Sequence, residues 1–118
     1  MYPGIDIIEI ERFDKATKRQ PKILERLFTP NEREHLADKG IQSWAARFAG
    51  KEAVLKALGT GLSDLSWWDI EIINAQSGEP IVILSAKARE IAKLRGCSQI
   101  RISLSHNRSD AIAMAVLF

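Results

Sequence analysis

The chain has 118 residues, within the usual range of one domain, and a formal charge of +2, too small to define a partner by itself. Its one cysteine, Cys97, excludes an internal disulfide and a multi-cysteine zinc site and suits a reducing compartment. No apolar run approaches membrane-spanning length and no signal-like segment begins the chain, so the expectation is one cytoplasmic domain over residues 1–118 without membrane contact.

Residues 2–10 carry Ile5, Ile7, Ile8 and Ile10 and predict a buried β-strand with Asp6 in its middle. Residues 11–19 and 22–28 read as short helices parted by Pro21. Thr29-Pro-Asn-Glu32 is a capping box, with Thr29 as N-cap and Glu32 at N3, and predicts a helix to about Lys39 with a stop at Gly40. The main helix is expected over Ser43–Leu58, closed by Gly59. A turn-rich connection over Ser63–Trp68 leads to strands at Asp69–Asn74 and Pro80–Leu84, then a helix from the N-cap Ser85 to Leu94. Gln99–Ser105 and Asp110–Leu117 form a terminal hairpin, the last strand apolar on both faces and therefore central in a sheet. The fold class is α+β with a mainly antiparallel sheet.

Each residue turns a helix by about 100°. With Phe48 at zero, Trp44, Leu55 and Leu58 share a buried stripe, and Glu52 and Lys56 lie together at about 40° and 80°. Arg47 falls at about −100°, on the opposite flank, so one helix does not aim it at the same ligand atoms as Glu52. Arg47 then has a structural role, or reaches another part of a long ligand or a neighbouring subunit's site, the last being favoured. Such a Glu–Lys pair is in itself an ordinary surface bridge, or else a carboxylate and ammonium held beside a metal-bound diphosphate. Asp6 inside an isoleucine strand needs a partner, a metal or an edge position. His106 continues the parity of Ile102 and Leu104 and reads either as a core histidine or as a site residue.

Arg12, Lys15, Arg19, Lys22 and Arg26 recur at helical spacing, with Asp14 and Glu25 as the nearby acids. The stripe is a solvated face or a dock for an acidic protein. No aromatic-rich sheet face or groove-reading motif accompanies it, which argues against nucleic acid.

Four segments in order carry a resemblance: Gly4-Ile-Asp-Ile-Ile-Glu-Ile-Glu-Arg-Phe13, Phe28-Thr-Pro-Asn-Glu-Arg-Glu34, Arg47-Phe-Ala-Gly-Lys-Glu-Ala-Val-Leu-Lys-Ala-Leu-Gly-Thr-Gly61 and Ser103-Leu-Ser-His-Asn107. Together the chain resembles the holo-[acyl-carrier-protein] synthase family, the small type of 4'-phosphopantetheinyl transferase. The resemblance implies transfer of 4'-phosphopantetheine from coenzyme A to a serine of apo-acyl carrier protein, releasing 3',5'-ADP, for fatty acid biosynthesis. It implies Asp6 and Glu52 as Mg2+ ligands, Lys56 as the neutraliser of the diphosphate, and Arg47 and His106 as contacts to coenzyme A phosphates. Gly59 and Gly61 match the turn at which backbone approaches the ligand, and Gly78 and Pro80 fall loosely on an adenine-side loop. Glu52, a metal-bound water and an Asp6-linked water each remain chemically able to take the serine proton. The basic stripe becomes the carrier-protein dock, with Arg12, Arg19 and Lys22 as its contacts. Small family members are homotrimers with sites between subunits, which gives Arg47 a neighbouring subunit's site to serve. Gly50 departs from the alanine usual in the family, and Trp67-Trp68 is bulkier than expected. The competing readings are a basic binding module with structural Asp6 and Glu52, and a catalytically dead relative.

Overall fold

The computed structural model describes residues 1–118. Strand β1 (Tyr2–Glu9) leads into helices α1 (Ile10–Arg19), α2 (Ile23–Leu27), α3 (Pro30–Leu36) and α4 (Ile41–Leu58). A 3-10 turn at Trp67–Asp69 precedes β2 (Ile70–Asn74), β3 (Pro80–Leu84), α5 (Ala86–Leu94), β4 (Ile100–His106) and β5 (Asp110–Leu117). Every strand pairing is antiparallel: β1-β5-β4 form one sheet, with β5 central as its two apolar faces require, and β2-β3 form a second.

Helix α4 is the axis of the domain. Its buried residues run around most of its circumference and include Ala45, Ala46, Ala49, Gly50, Ala53 and Ala57 as well as Arg47 and Lys51. The single buried stripe expected from helical spacing is thus too narrow, and Trp44 and Phe48 are only partly buried. Small side chains explain the difference. The inner face of β5 is Ala111, Ala113 and Ala115, so sheet and helix backbones come close and enclose α4 from several sides. Gly50 follows the same logic, because a methyl there would meet Ile72 Cδ1 at 2.9 Å and Leu104 Cδ2 at 3.0 Å.

Gly4 is the tightest contact between β1 and α4. A Cβ there would stand 2.0 Å from Ala53 O and 2.7 Å from Ala57 N, both backbone atoms that have no rotamer to yield. Gly4→Ala is expected to push β1 off the helix and destabilise the fold by about 1–3 kcal/mol, read as a lowered urea midpoint.

The sheet also corrects the expectation for β1. It is an edge strand with one face on α4, where Gly4, Asp6 and Ile8 point inward, while Ile5 and Ile7 are 58% and 62% exposed. Isoleucine on the outer parity gave no sign of this, since a β-branched residue fits either face of a pleat. Helix α3 stops at Leu36, earlier than Lys39, although its capping box forms as expected: Thr29 Oγ1 accepts from Glu32 N–H, and Glu32 Oε1 from Thr29 N–H. Trp67 is core, 5.1 Å from the Phe48 ring, but Trp68 is 48% exposed and donates Nε1–H to Glu25 O.

Candidate active site

Strand β1 and helix α4 bring three of the expected residues together. Glu52 and Lys56 sit one turn apart on the flank of α4 that faces β1, and Asp6 projects inward beside them. Lys56 Nζ donates to Asp6 Oδ1 at 3.1 Å and to Ile5 O at 2.9 Å, crossing from helix to strand. Asp6 is the more enclosed partner, its side chain 14% exposed against 54% for Lys56. Its second oxygen, Oδ2, is buried and accepts no hydrogen bond. The Glu52 carboxyl is pushed above its ordinary range, first by burial and then by the charge of Asp6, with Lys56 opposing. Two coupled carboxylates, one with an unsatisfied buried oxygen, and a single ammonium therefore make a net acidic pocket that favours a cation.

Arg47 and His106 lie elsewhere. The opposite side of α4 faces a groove of about 480 Å³ between β2, β3 and β4, lined by Ser43, Arg47, Asn74, Ser103 and His106, by the loop residues Gly78 and Glu79 and by Pro80 at the start of β3. The flank separation read from the helix angle is thus present in the fold. Arg47 is buried, donating Nη1–H to Ile72 O and Nη2–H to Asn74 Oδ1 at 3.1 Å; its Nε–H has no partner. Burial lowers its pKa, with Glu32 opposing, but a guanidinium stays charged. His106 ends β4 on the parity of Ile102 and Leu104, yet it is exposed, so the core-histidine alternative fails. The groove offers a cation, an imidazole, two hydroxyls and a carboxamide to an anionic ligand, and its one carboxylate, Glu79, is paired with Arg101 at 3.7 Å.

Gly59 closes α4 in the left-handed region, with φ of +72°, and its N–H satisfies Leu55 O and Lys56 O. The Arg95 guanidinium covers it, donating to Ala57 O and stacking on Tyr2, so a side chain at Gly59 would displace that cation. Gly61 is open, with no atom near the place of a Cβ.

The basic stripe is divided. Arg12 and Lys15 on α1 reach Glu9 and Glu11 at 3.8 and 3.1 Å, acids that a helix-face count passed over. Arg19, Lys22 and Arg26 are exposed and enter no ion pair. Beside Arg12 lies an apolar hollow of about 490 Å³ lined by Ile7, Ile8, Phe13, Ala16 and Phe48. What sequence reasoning missed is the buried Glu32–Lys51 pair. Lys51 lies one turn after Arg47 in a helix rich in small residues, and that setting was the available signal that its ammonium is enclosed.

The fold belongs to a known class of protein: the pattern of the 4'-phosphopantetheinyl transferase superfamily matches residues 2–116. The holo-[acyl-carrier-protein] synthase of Moorella thermoacetica is 49% identical, over 97% of this chain and 91% of its own length. That of Alkaliphilus metalliredigens is 46% identical, over 96% and 94%. The chain belongs to the holo-[acyl-carrier-protein] synthase family. Among solved structures, the Helicobacter pylori synthase in complex with coenzyme A superposes with a TM-score of 0.87 at 37% identity, covering 98% of this chain and 99% of that one. The Bacillus anthracis synthase, in complex with coenzyme A (3',5'-ADP), gives 0.80 at 38% identity, covering 98% and 94%. No helix of the chain is long and apolar enough to cross a membrane.

Proposed function

We infer that this chain transfers 4'-phosphopantetheine from coenzyme A to a serine of apo-acyl carrier protein, leaving 3',5'-ADP, in the cytoplasm and in the service of fatty acid biosynthesis. The observation that carries this reading is the Asp6–Lys56–Glu52 cluster, formed within a chain of this family. The donor set fits Mg2+: Asp6 has a free buried oxygen, Glu52 is repelled by it, and a hard cation accepts carboxylate oxygens while retaining sites for water and phosphate. Asp6 and Glu52 would hold the ion, which supplies charge neutralisation to the diphosphate. Lys56, fixed by Asp6 Oδ1 and Ile5 O, presents its ammonium to the phosphate that leaves. Arg47 and His106 bind phosphates of coenzyme A from their separate groove, and the Gly59–Gly61 turn lets backbone approach the donor.

The two half-sites lie on different sides of α4, and a homotrimer with sites between subunits unites them. The outer face of β1 and β5 supports assembly: Ile5, Ile7, Ile112 and Met114 form a contiguous apolar band on the exposed side of the sheet. Arg12, Arg19 and Lys22 receive the acidic helix of the carrier protein, next to the apolar hollow on α1. Nucleic acid has no place in this reading.

Intact mass of an apo-acyl carrier protein after incubation with this chain, coenzyme A and Mg2+ is the direct test. A gain of one phosphopantetheine, lost with chelator, is expected; no gain over several carrier proteins leaves a binding module or an inactive relative. Arg19→Glu should raise the carrier-protein KM about tenfold and leave the coenzyme A KM nearly unchanged, as expected for an unpaired docking cation. An equal rise in both would remove the docking role.

A further inference from the structure

The most enclosed charges in the molecule lie outside both half-sites. Glu32 and Lys51 have no solvent exposure at all, and Lys51 Nζ donates to Glu32 Oε1 at 2.5 Å. The same oxygen accepts from Thr29 N–H at 2.8 Å, and Oε2 accepts from Ile72 N–H at 2.8 Å. Burial pushes the Lys51 ammonium below its usual range while Glu32 opposes that shift. A buried pair of this kind adds little net stability over an apolar pair of equal volume, so stability alone does not account for it. Its geometric effect is more specific. Ile72 on β2 is gripped at its N–H by Glu32 and at its C=O by Arg47, and Asn74, two residues on, accepts the other arm of the same guanidinium. Charge-assisted bonds of this type are short and directional, and an apolar pair would leave the Ile72 N–H unsatisfied.

We propose that Glu32 and Lys51 are positioning residues that set the orientation of the Arg47 guanidinium in its groove by fixing Ile72 of β2. Arg47 cannot turn without releasing a carbonyl whose place Glu32 determines, and Lys51, by donating to Glu32 Oε1, holds that side chain where its Oε2 meets the Ile72 N–H. The inference rests on the reading of Arg47 as a contact to coenzyme A phosphates.

The test compares Glu32→Gln, Glu32→Gln/Lys51→Met, Arg47→Ala and the triple variant. Its readouts are KM for coenzyme A, KM for carrier protein, thermal midpoint, and 3',5'-ADP affinity by titration calorimetry. Glu32→Gln keeps the size of the side chain but has one acceptor oxygen where Glu32 uses two, so either the Ile72 bond or the Lys51 and Thr29 bonds are lost, and this single variant carries the test even if the double variant does not fold. The Glu32 variants should raise the coenzyme A KM and the 3',5'-ADP Kd about tenfold, with carrier KM held within about twofold, and Arg47→Ala should have little further effect in their background. Normal 3',5'-ADP affinity in folded Glu32 variants, beside a clear loss in Arg47→Ala, would overturn the positioning role. Parallel changes in both KM values that follow the thermal midpoint would reduce the pair to a structural one. If Arg47→Ala itself binds 3',5'-ADP normally, the reading of Arg47 fails, and that failure is seen in a different variant from the first.

Discussion

Glu52→Gln should lose phosphopantetheine transfer by on the order of 10²–10³-fold or more and at the same time make the folded protein harder to unfold at neutral pH. Both effects come from one carboxylate. In the unfolded chain it titrates near its ordinary value of 4.5, whereas in the fold its pKa is higher, because burial disfavours the anion and Asp6 repels it. Between the two values the folded state still holds a proton that the unfolded state has released. Stability supplied by the protonated form is therefore present below 4.5, falls as pH rises through this window, and is absent above the folded value. A carboxamide in its place does not titrate and avoids the loss. The gain in thermal midpoint should be no more than a few degrees, since Glu52 is only half buried and Lys56 and solvent offset part of the repulsion. Thermal unfolding at pH 4 and pH 8 in chelator checks this: variant and parent should coincide at the lower pH and separate at the higher. If the variant were less stable at pH 8, the repulsion between Asp6 and Glu52 would not be a feature of the free protein. Retained Mg2+-dependent coenzyme A binding in Glu52→Gln would remove it from the metal site.

The acid cluster was legible through Asp6, which broke a local rule, whereas Glu52 and Lys56 by spacing alone were an ordinary helical pair. An aspartate on an isoleucine strand needs a partner, and it has one in Lys56, with Glu52 placed one turn before by helical spacing. The central place of β5 was equally plain from its two apolar faces. Other features gave weaker signals because spacing fixes which residues share a face and not what covers that face. Ile5 and Ile7 turn outward since β1 is an edge. Arg47 and Lys51 turn inward since an alanine-rich helix can be covered by backbone on several sides, a setting in which cations are enclosed and must find acceptors. Glu32 served the sequence reading as a cap residue, and it does cap α3, but its two oxygens also reach Lys51 and Ile72, partners remote in the chain.

At coenzyme A well below the parent's KM, mixing Arg47→Ala protein, weakened about tenfold toward coenzyme A, with the nearly inactive Glu52→Gln protein should raise transfer above that of either alone. In one protomer the cluster around Asp6 and the groove around Arg47 and His106 lie on different sides of α4, with the body of the helix and its tightly packed contacts to β5 between them. Side-chain rotation does not close that distance, because both ends are anchored: Arg47 on Ile72 and Asn74, Lys56 on Asp6 and Ile5. In the shared-site reading, the groove of one protomer faces the acid cluster of the next, so that one ligand meets both sets. A cyclic assembly places the same two surfaces together at every interface. After co-refolding at equal amounts, random assortment leaves about a quarter of interfaces with an intact cluster from an Arg47→Ala protomer and an intact groove from a Glu52→Gln protomer, so activity should return to roughly that fraction. A charge placed on the apolar band, as in Met114→Glu, should prevent the recovery by dissociating the assembly, visible as a smaller species in sedimentation. Absence of recovery in a mixture proven to exchange subunits would place both half-sites in separate reactions or within one protomer, and the shared-site reading would fall.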